Sequence, residues 1–362
     1  MEIFKEIFDK INKKLERTSL SSYNKLPYTT INGIHDDKNN CPAFWTNGFW
    51  PALMTLMYSA TGGKQYFDTA KNAVKMLDKA LFTYDGLNHD VGFMWDISSG
   101  ALYRLNGDAG ELNRLMIAAN HMMGRYNCCG EFFRAWNDEG TEGWSIIDCM
   151  MNLPLLYRAS EITGDKRFAM AAMKHADKTA MYHVREDGSC RHIVEYNPEN
   201  GEFVKEHGGQ GYGCGSSWTR GQAWGIYGFA MSCRFTKKKE YLDTAMKIAR
   251  YFAENIGNYG YITPCDFKQP KFPEIVDTTA AACAACGLLE LSAHAPELKE
   301  LAEKMILALY EKHCDLSENN DAILLDGTEA YTRGIHIPII YGDYFFTEAV
   351  CRLLGYDADF MW

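Results

Sequence analysis

The chain has 362 residues, 47% hydrophobic and 13% aromatic, enough for one sizeable core or a few small ones. Acidic residues outnumber basic ones 47 to 37, and the formal charge of −10 excludes a general nucleic-acid or anionic-membrane surface, because no basic run offsets it. An anionic small substrate stays open, since one local arginine can hold a carboxylate whatever the total charge.

The first segment, "MEIFKEIFDKINKKLERTS", reads as an amphipathic helix of mixed charge. It has neither the apolar centre nor the small-residue cleavage site of a signal peptide, and no stretch of the chain is long and apolar enough to span a bilayer. A cytoplasmic location is the expectation. An apolar helix follows in "TNGFWPALMTLMYSA", then an amphipathic one in "TGGKQYFDTAKNAVKML". "NHDVGFMWD" opens a further helical pattern, and "NGDAGELNRLMIAANHMM" another polar-faced helix. The same alternation returns in "SIIDCMMNLPLLYRAS" and "TGDKRFAMAAMKHADKT", in "TRGQAWGIYGFAMSC" and "TKKKEYLDTAMKIARYF", and in "DTTAAACAACGLLEL" and "HAPELKELAEKMILALY". Gly62, Gly107 and Gly164 fit helix C-terminal positions that need a left-handed residue.

Alternating strongly apolar and polar-faced helices predict an all-α protein, with hairpins closed into two concentric rings. The repeats are too unevenly spaced for a strict solenoid, and no linker interrupts them, so residues 1–362 are expected to form a single domain. The exception is about 184–217, where "CRHIVEY" and "GEFVKEH" flank the turn "NPENG" as a β-hairpin, followed by a glycine-rich loop. The inner-ring helix ends and their loops would line a central cleft, where "NHDVGFMWD", "WSIID" and "GSSWTRGQAW" would meet.

Several of the twelve cysteines (Cys149, Cys233, Cys283, Cys286, Cys351) lie in apolar helical contexts and read as reduced thiols that pack as small hydrophobes. The C-x-x-C spacing of Cys283 and Cys286 sits inside an alanine run without a second pair, which argues against zinc. Cys128 and Cys129 do not look like a redox site.

Asp148 stands out because it interrupts the apolar run "WSIIDCMMNLPLL". It is either a structural aspartate tied into a buried network or a general acid whose proton is held by its apolar neighbours. Pro154 implies a kink there or a helix that restarts. Asp90 is either a helix N-cap or a second carboxylate that raises the proton affinity of Asp148. His89 and Asp96 are lesser candidates, and His192 by default is a surface or packing histidine. Tryptophans, among them Trp45, Trp136, Trp218 and Trp224, gather near loops and helix starts, where flat indoles can stack on sugar rings. Arg220 is either the partner of a structural acid or a cation for a substrate carboxylate. Aromatics, two carboxylates and one arginine together suggest an acidic sugar; no phosphate loop, dinucleotide fingerprint, nucleophile elbow or His-rich metal motif competes.

The ordered motifs "FWTNGFWPA", "NHDVGFMWDISSGA", "WSIIDCMMNLPLLYRASEITGD", "GSSWTRGQAWGIYGFA" and "YGDYFFTEAVCRLL" resemble glycoside hydrolase family 88, the unsaturated glucuronyl hydrolases, from about residue 40 onward. The resemblance implies an (α/α)6 barrel. It makes Asp148 the catalytic acid/base and Asp90 its assisting carboxylate, and it puts His192, Gln210, Trp218, Arg220 and Trp224 in the substrate pocket, with Trp45 and Trp136 as further stacking residues. A family histidine just before Gln210 is here Gly209. "RGIHIPIIYGDY" lacks the serine and lysine spacing that resembles sulfate recognition in some members, so a preference for 6-sulfated substrates is not expected.

The implied substrate is a lyase-generated oligosaccharide, most simply a glycosaminoglycan disaccharide, ending in a 4,5-unsaturated uronic acid. The implied partner is that small sugar alone, with no cofactor, metal, nucleic acid or membrane; nothing in the sequence speaks to oligomeric state. Three other readings stand beside it. One is the related family 105, unsaturated rhamnogalacturonyl hydrolases with pectin-derived substrates. Another is a toroidal epimerase of the N-acylglucosamine type, which the few scattered histidines disfavour. The last is a silent helical scaffold, which gives no reason for the Asp90/Asp148 pair.

Overall fold

The structure, a computed structural model, describes residues 1–83 and 86–362. Among the described residues the helices are α1 Glu2–Ser21, α2 Phe49–Thr61, α3 Lys64–Leu81, α4 Val91–Trp95, α5 Ala101–Asn106, α6 Ala109–Gly124 and α7 Leu153–Thr163. They continue with α8 Lys166–Tyr182, α9 Thr219–Thr236, α10 Lys239–Ile256, α11 Thr278–Leu291, α12 Glu297–His313 and α13 Ile340–Leu354. A wide π turn, Asp96–Gly100, joins α4 to α5 and makes one inner rod of them.

The expected two rings are present. Inside, α2 packs on the α4–α5 rod, that rod on α7, α7 on α9, α9 on α11, α11 on α13, and α13 back on α2. Outside stand α3, α6, α8, α10 and α12, each beside its inner partner, and α1 backs α13 to complete six pairs. The sequence distinguishes the rings. In α3 the buried residues Tyr66, Ala70, Ala73, Val74 and Leu77 recur at three and four, a single stripe. In α11 every residue from Thr278 to Leu288 is buried, so no polar face exists to meet water. The barrel is therefore an (α/α)6 toroid.

The two ends of the toroid differ. Each turn from an inner to an outer helix is short, as at Gly62–Gly63 and Gly164–Asp165, and Gly62 and Gly164 take φ of 72° and 73° at those helix ends. Returns from outer to inner helices are mostly long: residues 22–48, 125–152, 183–218, 257–277 and 314–339. All long loops thus collect at the end where the inner helices begin, and residues there can converge.

The predicted hairpin forms from Ile193–Tyr196 and Phe203–His207, paired antiparallel. A third strand, Trp144–Ile146, joins its other edge. That strand is only three residues long and escapes any periodicity argument. All twelve cysteines carry free thiols; Cys149, Cys190, Cys265, Cys283, Cys286 and Cys351 are buried as packing groups.

Candidate active site

A cavity of about 420 Å³ opens among the long loops, and Asp90, Asp148 and His192 line its interior with Trp45, Trp136 and Gln210. The short third strand explains how two of these meet. Its register sets Ile146 opposite Ile193, and the next residue, Ile147, donates its N–H to the His192 carbonyl at 3.0 Å. Asp148 therefore leaves the sheet beside His192, on a tight turn spanning Ile147–Met151. The helix restarts at Leu153 with Pro154 in its first turn, where the missing N–H has no intrahelical partner to lose.

Asp90 occupies the N-cap position of α4, yet its side chain caps no backbone N–H. Its Oδ1 instead accepts from Asn152 Nδ2 at 3.3 Å. The same Nδ2 reaches the Asp148 carbonyl at 3.4 Å, and Asn152 Oδ1 accepts the Phe93 N–H at 2.8 Å. Asn152 thus ties the start of α4 to the start of α7. The approach requires Gly92, because a Cβ there would lie 2.6 Å from the Asn152 Cα.

Burial is the main cause that pushes the Asp148 carboxyl up to about 8, with the Asp90 charge adding to it and the Arg220 charge opposing it. Burial likewise pushes Asp90 up to about 7, against hydrogen bonds from Asn152 and Asn88 and the charge of Arg125. Both carboxyls hold a proton far above the ordinary aspartate range, Asp148 more firmly. Its Oδ2 has no hydrogen-bond partner in the protein.

His192 is held by the loop opposite. The Gln210 N–H donates to its Nδ1 at 3.0 Å, so in the neutral ring the proton sits on Nε2. Burial, reinforced by the Arg220 charge, lowers the ring to about 3 and keeps it neutral. Nε2 lies 3.6 Å from Asp148 Oδ2, too far for a hydrogen bond, and it too has no protein partner. Trp218 packs against the imidazole face at 4.3 Å between centroids. Gly209 makes this arrangement fit: at φ 63°, a Cβ would fall 1.9 Å from His192 Nδ1. A side chain at 209 is incompatible with His192 as placed.

The sequence-predicted residues divide into two sets. Trp45, Asp90, Trp136, Asp148, His192 and Gln210 line the cavity. Trp218, Arg220 and Trp224 lie behind its wall, at most 2% exposed. Arg220 resolves its two readings in favour of an internal partner: Nη1 pairs with Asp277 and donates to the Thr328 carbonyl, and Nη2 donates to the Glu329 carbonyl at 2.6 Å. Trp224 packs among Phe93, Tyr341 and Phe345. His89 is fully buried below Asp90, its Nε2 3.3 Å from Oδ1 without hydrogen-bond alignment. Asp96 is structural, paired with Arg104 at 2.8 Å.

Sequence reasoning missed Tyr28, Asn88, Glu329, Thr332 and Arg333 on the cavity wall. It also missed Arg125, whose guanidinium donates to the carbonyls of Arg134, Ala135 and Trp136 and to Asn137 Oδ1, fixing the loop that carries Trp136. The available signal was loop length: 314–339 is a long return ending at an inner helix.

Comparison with known proteins finds a matching family and similar structures. The profile of Glycosyl Hydrolase Family 88 matches residues 11–259. The unsaturated glucuronyl hydrolase of Bacillus sp. (strain GL1) is 34% identical over 324 residues, 85% of this chain and 86% of that protein. The unsaturated chondroitin disaccharide hydrolase of Streptococcus agalactiae is 34% identical over 341 residues, 89% of this chain and 84% of that protein. The crystal structure of the Bacillus sp. GL1 enzyme, described as responsible for the degradation of glycosaminoglycan, superposes with a TM-score of 0.88 at 31% identity, covering 96% of this chain and 94% of the other.

Proposed function

This chain belongs to Glycosyl Hydrolase Family 88, and we propose that it hydrates the C4=C5 double bond of a terminal 4,5-unsaturated uronic acid on a small oligosaccharide of glycosaminoglycan type. One observation carries the reading: Asp148, a carboxyl held up at about 8 by burial and with one oxygen that accepts no hydrogen bond from the protein, lines a sugar-sized cavity.

The ring oxygen and the C4=C5 bond of such a sugar form an enol ether. Asp148, protonated at neutral pH, delivers its proton to C4, and positive charge develops at C5 and the ring oxygen. Water adds at C5, and the Asp148 carboxylate takes the proton that this water releases. The resulting hemiketal opens to a ketone at C5 and leaves a hemiacetal at C1, which expels the second sugar. One water is consumed and the acid is regenerated. Asp90 raises the proton affinity of Asp148 when it carries charge, and it lies on the same cavity wall to position the water. The anomeric carbon is never attacked, so the usual relation between carboxylate separation and stereochemistry does not apply. His192, neutral with its proton on Nε2, is suited to donate a hydrogen bond rather than to exchange protons at neutral pH. Trp45 and Trp136 offer apolar faces to the sugars, while Trp218, Arg220 and Trp224 support the wall from behind.

Among the described residues no helix is long and apolar enough to cross a membrane. Buried free thiols used as packing groups support a reducing, cytoplasmic setting.

The test is to mix the purified protein with an unsaturated chondroitin disaccharide and follow the ultraviolet absorbance of the conjugated double bond, with Asp148→Asn alongside. Absorbance should vanish with the wild type only. Consumption of an unsaturated rhamnogalacturonide, with none of the chondroitin disaccharide, would move the substrate to pectin. Near wild-type turnover by Asp148→Asn would remove Asp148 as the acid.

A further inference from the structure

The proposed reaction needs its two aspartates in different states: Asp148 must hold a proton, and Asp90 raises that proton affinity only while it is charged. Burial acts on both in the same direction, so burial alone does not choose between them. Each has an arginine whose charge opposes burial, Arg220 for Asp148 and Arg125 for Asp90. The two arginines differ. Arg220 is paired with Asp277 inside the wall. Arg125 has no such counter-ion: among the described residues its guanidinium meets only carbonyl and amide oxygens.

Arg125 follows the last residue of α6, and its half-buried side chain ties two loops together. Nε donates to the Arg134 carbonyl at 2.9 Å, and Nη2 to the carbonyls of Ala135 and Trp136, both at 3.1 Å. Nη1 donates to Asn137 Oδ1 at 2.7 Å and reaches the Leu87 carbonyl at 3.4 Å. Asn137 Nδ2 donates to that same Leu87 carbonyl at 2.8 Å, and the His89 N–H to the Ala135 carbonyl at 3.3 Å. The segment that leads into Asp90 is thus fastened to the loop that carries Trp136. The other groups nearby supply no rival charge to Asp90. Burial lowers His89, His121, His175 and His192 and keeps them neutral at pH 7, and it pushes the Cys149 thiol well above its ordinary range. Arg134 has a carboxylate of its own, Glu142 at 3.5 Å. Burial, with the Arg134 charge, lowers Arg125 to about 10, so it is positive at neutral pH.

Resting on the hydration reaction proposed above, we infer that Arg125 is a positioning residue: its fork locks the Asp90 and Trp136 loops into one wall, and its charge makes Asp90, rather than Asp148, the ionised member of the pair. Arg125 does not line the cavity, so it acts through those two residues. The two roles are separable. A lysine keeps the charge but lacks the planar fork that reaches four carbonyls and an amide. A glutamine has neither. Without the charge Asp90 keeps its proton to higher pH. Asp148 then has no charged neighbour to raise its affinity, and it gives up its own proton at lower pH.

The experiment has two arms, each run on wild type, Arg125→Gln and Arg125→Lys. The first, without substrate, follows against pH the infrared band of the protonated Asp90 carboxyl, identified by its loss in Asp90→Asn. The second follows the pH dependence of turnover of an unsaturated glucuronyl disaccharide. Arg125→Gln should raise the Asp90 titration by about half a pH unit and move the falling limb of the rate down by a similar amount. Arg125→Lys should leave both in place, and both variants should raise KM about fivefold as Trp136 loses its anchors. In an Asp90→Asn background, Arg125→Gln should shift the limb no further. An Asp90 titration that Arg125→Gln leaves unmoved overturns the assignment, as do an equal shift in Arg125→Lys, a further shift in the double variant, or an unchanged KM in both. If Arg125→Gln does not fold, Arg125→Lys decides: an unmoved titration with a raised KM is the expected result, and a moved one overturns it. Absence of turnover by the wild type refutes the hydration reading instead, and the infrared arm still judges Arg125.

Discussion

Two buried carboxylates on the inner ring have opposite surroundings. Glu348, toward the C-terminal end of α13, is fully buried, and both oxygens are occupied: Oε1 accepts from Tyr227 and from Arg352 Nε at 2.8 Å, and Oε2 from Trp362 Nε1 at 3.1 Å. Asp148, where the inner helices begin, is 9% exposed, and its Oδ2 accepts nothing. A structural carboxylate is surrounded by donors that occupy its oxygens. The carboxyl proposed to hand its proton to carbon has no such donor at Oδ2, and burial favours its protonated form. The fold makes this difference by topology: one end of the toroid is closed by short turns and dense packing, the other by long loops around a cavity.

Substitution of the two acids should give opposite results. Asp148→Asn should lower turnover at least a thousandfold, in the upper range for a general acid, and leave unfolding in urea at pH 7 no easier than wild type. Glu348→Gln should lose about 3 kcal/mol of stability, because Arg352 then keeps a buried charge without its nearest partner, with kcat/KM changed only a few-fold. If Asp148→Asn proves the less stable variant, the contrast between a working and a structural carboxylate collapses.

Gly209→Ala tests the wall opposite. The Cβ that would lie 1.9 Å from His192 Nδ1 must displace the imidazole or break the bond from the Gln210 N–H. We expect kcat/KM to fall about tenfold, with about 1 kcal/mol of destabilisation from the positive φ alone. Unchanged kinetics would show that His192 does not need its present seat.

The toroid was legible because inner and outer helices bury different fractions of their surface, and burial is written in apolar periodicity. Asp148 was legible for the converse reason: a carboxylate among Ile146, Ile147 and Met150 breaks the pattern. What stayed hidden depends on contacts distant in sequence. Arg220 looks free beside its tryptophans, and its partner Asp277 is 57 residues away. The strand Trp144–Ile146 is too short to show a period, yet it sets His192 beside Asp148. Arg333 belongs to a loop whose cavity-facing side exists only once Gln210 and Arg220 have fixed its turn.

The smallest effect to look for is a pH shift that joins the two aspartates. An unfolded aspartate releases its proton near pH 4, whereas folded Asp148 keeps it to about 8. Between those values the folded protein binds the extra proton, so this group's contribution to stability is complete below pH 4 and is lost as pH rises toward 8, by about 1.4 kcal/mol per unit. Asp90, held to about 7, adds a loss of the same sign over a narrower window. On the proposed mechanism, catalysis needs the same proton that the fold retains at this expense. The rate should be level below pH 7 and fall about tenfold per unit above 8. In Asp90→Asn the neighbouring charge that raises Asp148 is gone, and the falling limb of whatever activity remains should move to lower pH. That variant should also resist unfolding better than wild type at pH 8. A limb that stays in place would mean that burial alone sets the proton affinity of Asp148, and that Asp90 acts on the water instead.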